Sequence, residues 1–350
     1  MNEEPGVLLA LRLQSRACRA GGSPLNGDLL EKAAEDWVAG GSVRRLMVPW
    51  AEGDLKAQFD WATPLRLIGA LHELALSGED RALATAYEAL DAGAIWTAAQ
   101  HSMVDHSARL SEFMIHEPQT NEVRRSICLV GGFLEIAKAT NLPMRCFEIA
   151  ASAGLNTSWD RYSYRMGEAA WGHADAALHL DTEWAGPAPP VDASVRVIAR
   201  AACDRRPTNL ADPDQKRRLL SYIWADQVER IARIRAAIDI ALARGVAVEA
   251  ADAVDWTRAR VAPAAGAVTV LYHSVFWQYM PEESQAALLA LICEIGAQAT
   301  EEAPFAWLRM EPGKENLMVM EVSLTLWPGG QERLLATTHP HGASVRWLAG

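Results

Sequence analysis

The sequence predicts an α/β fold: an all-helical N-terminal cap, then a doubly wound, mostly parallel, seven-stranded sheet of Rossmann-like type that closes with a C-terminal antiparallel hairpin. Three observations carry this expectation. No strand pattern precedes Met144, and the chain up to that point reads as helices divided by glycine stops. From Met144 onward, short apolar runs alternate with helical stretches, and parallel strands need such crossover connections. The end of the chain breaks the alternation, because "MVMEVSLTLWPGGQERLLATTHP" reads as a strand, a Pro-Gly-Gly turn and a second strand at the sheet edge.

In the cap, Leu29, Leu30, Ala33, Trp37 and Val38 recur at helical spacing, with Gly40-Gly41 as the stop. Thr63-Pro64 starts a further helix, since proline fits a first turn, and Leu65, Ile68, Leu71 and Ala75 form its apolar face as far as Gly78. Another runs through Leu83, Tyr87 and Leu90 to Gly93. After Thr120-Asn121, Val123, Ile127, Val130, Leu134 and Ala137 make one stripe leading into the first strand. Predicted strands are 144–150, 194–200, 246–251, 267–273 and 305–310, with helices from Asp212-Pro213 to Gly245 and over 281–299. The domains expected are therefore 1–118, the cap, and 119–350, the sheet, with an insertion at about 160–193 that ends in the extended loop "GPAPPVDAS".

Composition narrows the function classes. The chain has 350 residues, half of them hydrophobic, and a net charge of −11, which repels phosphate backbones and argues against nucleic-acid partners. The cluster Arg205, Arg206, Lys216, Arg217 and Arg218 is interrupted by Asp212 and Asp214 and reads as solvated helix surface. No stretch is apolar enough to span a bilayer, so no membrane partner is expected. The start, Met-Asn-Glu-Glu-Pro-Gly, lacks the positive charge of a secretory signal, and the five widely spaced cysteines include no Cys-x-x-Cys pair; both suit a cytoplasmic protein.

The most informative stretch is residues 145–164, "RCFEIAASAGLNTSWDRYSY". Small residues at a strand-to-helix turn let backbone approach a ligand, and such turns lie at the carboxyl edge where open parallel sheets bind ligands. Ala150, Ser152 and Gly154 have the spacing of a glycine-rich nucleotide loop, with Glu148 beside it. Asp204, Asp252 and His273-Ser274 follow at the ends of the next predicted strands. An acid after the second strand suits a ribose diol and one after the third an adenine amino group, which favours a nucleoside-bearing ligand. The same aspartates also suit plain turns and caps.

The runs "FEIAASAGLNTSWDRYSY", "ACDRRPTNLADPDQKRRLLSYIWADQVERIARIRAAI", "YHSVFWQYM" and "HGASVRW" resemble the bacterial domain-of-unknown-function family 2332 over nearly the whole chain. The sheet region is in turn similar to class I methyltransferases that use S-adenosylmethionine. That resemblance implies Glu148, Ala150, Ser152, Gly154 and Asn156 around the methionine and ribose, and Asp204 on the ribose hydroxyls. It also implies Asp252 and Ala253 beside adenine, with His273 and Ser274 facing the reacting centre. Methyl transfer depends mainly on alignment. His273 is the first candidate base, with Tyr272 or Tyr279 orienting a small or medium-sized acceptor. Asn121, Arg124, Arg125 and Trp277 are candidate substrate contacts, the arginines for a carboxylate or phosphate. Ala150 stands where such loops carry glycine, and its Cβ disfavours a positive φ.

Other chemistries stay open. A non-catalytic, nucleoside-binding or regulatory module on the same fold is one. A serine hydrolase is another, with Ser152 on a nucleophile elbow, Asp252 or Glu311 as orienting acid and His339 or His341 as base. Metal binding through His101, Asp105, His106 and His116 lacks a shared helix face, and surface histidines are the simpler reading. Trp159, Trp171, Trp224 and Trp277 are candidates to line an apolar pocket.

Overall fold

The computed structural model describes residues 5–313, 316–317 and 319–349. The first four residues and Met318, on which the readings of the N-terminus and of the hairpin's first residue rest, lie outside them. The chain forms two compact units, residues 1–120 with 212–232, and 121–211 with 233–350. Residues 212–232, which the sequence groups with the sheet, belong to the helical unit.

The helical unit begins with α1 (Gly6–Ala20), α2 (Pro24–Val38), α3 (Ser42–Leu46), α4 (Leu55–Asp60), α5 (Thr63–Ser77), α6 (Arg81–Glu88), α7 (Ala92–Asp105) and α8 (Ser107–Ile115). Side-chain caps set several starts: Ser23, Asp54, Asp80 and Asp91 each accept an amide from the first turn of α2, α4, α6 and α7. Proline opens α5 and Gly78, at φ +73°, closes it. The helix expected to run to Gly93 stops at Glu88, because Asp91 caps a new helix and Leu90 sits at φ +52°. Buried Glu73 accepts from both Arg109 and Arg217, and Arg218 lies 3.9 Å over the Phe113 ring. Two members of the basic cluster read as solvated surface are thus structural ties.

The sheet unit runs α9 (Arg125–Thr140), β1 (Met144–Ile149), β2 (Ser163–Met166), β3 (Ala169–Trp171), β4 (His179–Ala185) and β5 (Val197–Asp204). After α10 (Pro213–Ser221), which belongs to the helical unit, and α11 (Val228–Ala243), whose first turn does, come β6 (Glu249–Ala250), α12 (Ala253–Arg260), β7 (Val268–Ser274) and α13 (Glu282–Ala297). The chain finishes with β8 (Phe305–Pro312), β9 (Met320–Trp327), β10 (Gln331–Thr338) and β11 (Ser344–Trp347). Among the described residues the sheet has eleven strands rather than seven, in the order β3-β2-β4-β11-β10-β9-β8-β7-β1-β5-β6. Strands β5, β1, β7 and β8 are parallel, and β8, β9, β10 and β11 follow as antiparallel neighbours. The β9–β10 hairpin therefore lies inside the sheet and not at its edge, since β11 and the inserted strands continue beyond it.

Burial explains the central strands. Six of the seven residues of β7 are buried, as expected of a parallel strand covered on both faces. One face packs Phe147, Leu271, Phe305 and Trp307 against Trp256 of α12 and Leu288, Ile292 and Ile295 of α13. The other carries α9, where Gly131 and Gly132 let Trp347 and Leu308 approach to within 2.5 Å of where a Cβ would stand. α9 ends at Asn141, in the left-handed region at φ +49°, and β1 begins three residues later.

Candidate functional site

Strand order reverses at β1, with β5 on one side and β7 on the other. This is the position at which open parallel sheets place ligands, beyond the carboxyl ends. There the chain passes through Ala150, Ser152 and Gly154 at φ +55°, +55° and +73°. The sequence argument that alanine's Cβ disfavours a positive φ at 150 is overridden by hydrogen bonds that fix the turn. Ala151 N donates to Cys203 O, Gly154 N to Ala151 O, and Ser152 N to Asp204 Oδ2 at 2.8 Å, while Thr208 N donates to Ser152 O. Gly154 backs onto Val248 and Val246, 2.7 and 2.8 Å from the position a Cβ would take. Gly154→Ala is expected to lose about 2 kcal/mol or more, from the left-handed backbone and the overpacking; an unchanged urea midpoint would contradict this.

The segment before α9 is tied to the same turn. Leu155 N donates to Asn121 Oδ1 at 2.9 Å, Asn156 Nδ2 to Glu122 O, and Ser126 Oγ to Asn156 Oδ1 at 2.7 Å. Asn121 and Asn156 thus hold two chain segments together. Arg124 Nε donates to Asp181 O and Arg125 Nε to Pro340 O. Burial pushes the Arg125 guanidinium down from its usual range, opposed by Glu122, Tyr279 and Glu311, so these groups share one neighbourhood.

Four carboxylates stand along the rim in different states. Glu148 is 3% exposed and accepts a hydrogen bond from Tyr272 Oη at 3.1 Å. Burial pushes its carboxyl up to about 8, with Asp204 adding to the rise and the Tyr272 bond opposing it. Asp204 accepts from the amides of Ser152 and Arg206, one on each oxygen. Asp252 caps α12 through the amides of Val254 and Asp255, with Ala253 buried behind it. Glu311, at the end of β8, accepts His273 Nδ1 at 2.6 Å and the amides of Phe276 and Trp277.

His273 is fully buried, and its Nε2 receives the indole N–H of Trp307 at 3.1 Å. An indole N–H only donates, so Nε2 carries the lone pair and Nδ1 the proton given to Glu311. To act as a base, His273 must first part from Trp307. Next come half-buried Ser274 and Val275, whose φ of +51° is strained for a β-branched side chain. The Trp277 ring stacks on His273 at 5.7 Å, while Tyr279 is 71% exposed.

Glu311 matters most among the groups that sequence reasoning placed elsewhere: it entered as the acid of a triad and instead anchors the loop after β7. Among the described residues Ser152 Oγ has no hydrogen-bond partner, so no base stands in contact with it. His101 bonds Thr97 O within its helix, His106 lies 3.9 Å from Asp80, and the His341 ring lies 3.9 Å from Glu122. Among the described residues no three His, Cys, Asp or Glu side chains gather as a metal-ligand set, and no helix is long and apolar enough to cross a membrane. Trp224 packs in the helical core, and Trp159 is buried between Phe133 and Trp171.

Fold and site together define a mixed α/β protein whose parallel strands carry a strained, acidic rim where their order reverses. The chain belongs to the bacterial family described as "Uncharacterized protein conserved in bacteria" (DUF2332), whose model matches residues 9–347. Comparison with curated proteins finds no match, and comparison with solved structures finds none.

Proposed function

We propose that the chain is an S-adenosylmethionine-dependent methyltransferase-like enzyme acting on a small or medium-sized molecule. The observation that carries this reading is the charge of the rim at the strand reversal. The amides of Ala151, Ser152, Gly154 and Leu155 are already donated within the protein, and the side chains beside them are Glu148, Asp204 and Asp252. A phosphate needs free amides and positive charge; a nucleoside bearing a sulfonium and an ammonium needs carboxylates. Ala150, Ser152 and Val275 put three non-glycine residues at positive φ just after β1 and its neighbour β7, and such strain concentrates at functional sites.

The residues present suit that cofactor. Asp204 spends one acceptor position per oxygen on amides, and a carboxylate has about four, so it can still take ribose hydroxyls. Glu148 would face the positive end, where a nearby cation favours its ionised form. When bound, the cofactor supplies the electrophilic methyl group. Arg125 would hold an acidic group of the acceptor, Tyr279 would border the opening, and Glu311 would fix the β7 loop through His273.

Calorimetry with S-adenosylmethionine, S-adenosylhomocysteine and adenosine monophosphate tests the proposal on wild type and Asp204→Asn. Expected are binding of the first two in preference to the nucleotide, a loss of about tenfold or more in the variant, and tighter binding of the sulfonium as pH rises from about 6 to 9. Preference for the nucleotide, or no binding at millimolar concentration, overturns it. Binding without methyl transfer to any acceptor would favour the regulatory module.

A further inference from the structure

The first and tenth strands in the sheet order, β3 and β5, each contribute to one groove. Trp171 of β3 and Val197 of β5 line one groove of about 510 Å³, completed by Asp160, Arg161, His173, Val191 and Val195. That volume lies within the range of small-molecule sites, about 300–1,000 Å³. Val197 opens β5 and Asp204 closes it, so at about 3.3 Å per residue the Val197 wall of the groove lies about 23 Å along the strand from Asp204.

Two features of the lining point to a ligand. Trp171 is fixed at the outer end of an aromatic stack: Phe133 and Trp159 lie 3.9 Å apart at 8°, and Trp159 and Trp171 5.8 Å apart at 25°. It stays only half-buried, so a rigid indole is presented at low entropic cost. The second feature is charge. Asp160 is clamped by Arg200 through both carboxylate oxygens at 2.9 and 3.0 Å, and Arg244 stands 3.8 Å away. Arg161 reaches the same carboxylate only at 3.7 Å with its side chain 57% exposed. Three guanidinium groups therefore surround one carboxylate, and Arg161 has donors to spare.

We propose that this groove binds a small molecule made of a planar ring and an acidic group, with the ring between Trp171 and the valine wall and the acid on Arg161. The site is independent of the methyltransferase reading and stands or falls by itself. Titrations of 2-naphthoate, adenosine monophosphate and uncharged 2-naphthol against wild type, Arg161→Met and Trp171→Leu test it by calorimetry. At least one anionic probe is expected to bind with a Kd of about 0.1–1 mM, and to weaken about tenfold or more in both variants. The stronger anion tells carboxylate from phosphate. Arg161 is exposed, so its substitution leaves the fold intact and decides the question alone if Trp171→Leu misfolds. No binding by either anion, equal binding of 2-naphthol, or anion binding unchanged in Arg161→Met overturns the proposal.

Discussion

Glu311→Ala is expected to destabilise the protein by about 3 kcal/mol or more, because each buried donor left without an acceptor costs about 1–3 kcal/mol. Three donors lose their partner together: the Nδ1–H of fully buried His273 and the amides of Phe276 and Trp277. Among the described residues Glu311 is the acceptor that Nδ1 reaches, and Trp307 occupies Nε2. Glu311→Gln keeps one acceptor oxygen and is expected to lose about half as much. Urea denaturation reads the difference, and amide exchange at 276 and 277 should rise in both variants. Wild-type stability and exchange in the alanine variant would show that the carboxylate does not hold this loop.

Glu148→Gln is expected to remove a pH dependence that wild type carries. Burial raises this carboxyl from 4.5 to about 8. Below the lower value both states are protonated. Between the two, the folded chain retains a proton that the unfolded chain has released, so wild-type stability falls as pH rises and levels off above about 8. Each unit of the shift corresponds to about 1.4 kcal/mol. Glutamine is uncharged throughout and its carbonyl can still accept from Tyr272 Oη. The variant should thus gain on wild type steadily from about pH 5 to 8, by a few kcal/mol in total. Thermal midpoints of the two proteins in matched buffers check this; parallel curves would mean that Glu148 titrates normally.

Much of the central sheet was legible because a strand covered on both faces reads as an apolar run: "MRCFEI", "VTVLYHS" and "FAWLRM" fall within one or two residues of the expected positions. β5 was read early, at 194–200, because "VRVI" looks like a buried strand, yet in the fold Ile198 is 55% exposed and burial begins only towards Ala202 and Cys203. β2, β3 and β4 went unseen. β2 and β3 are short, β4 alternates exposed with less exposed positions instead of forming an apolar run, and one of its partners is β11, which no local pattern announces. The turn after β1 was legible from its small residues. The coupling of His273 to Glu311 was not, because it depends on β7 and β8 lying in register, with His273 opposite Arg309.

β4 pairs with β11 through Ser344 to Arg346, and among the described residues β2 and β3 are attached to the rest of the sheet only through β4. β11 is synthesised roughly 160 residues after β4, and pairings that span so much chain form late. These three strands, complete by residue 185, must therefore wait for residues 344–347 before β4 gains its second partner. Until β11 arrives, the β4 edge that it covers stays unpaired and exposed to the ribosome's surroundings, the kind of surface that recruits chaperones.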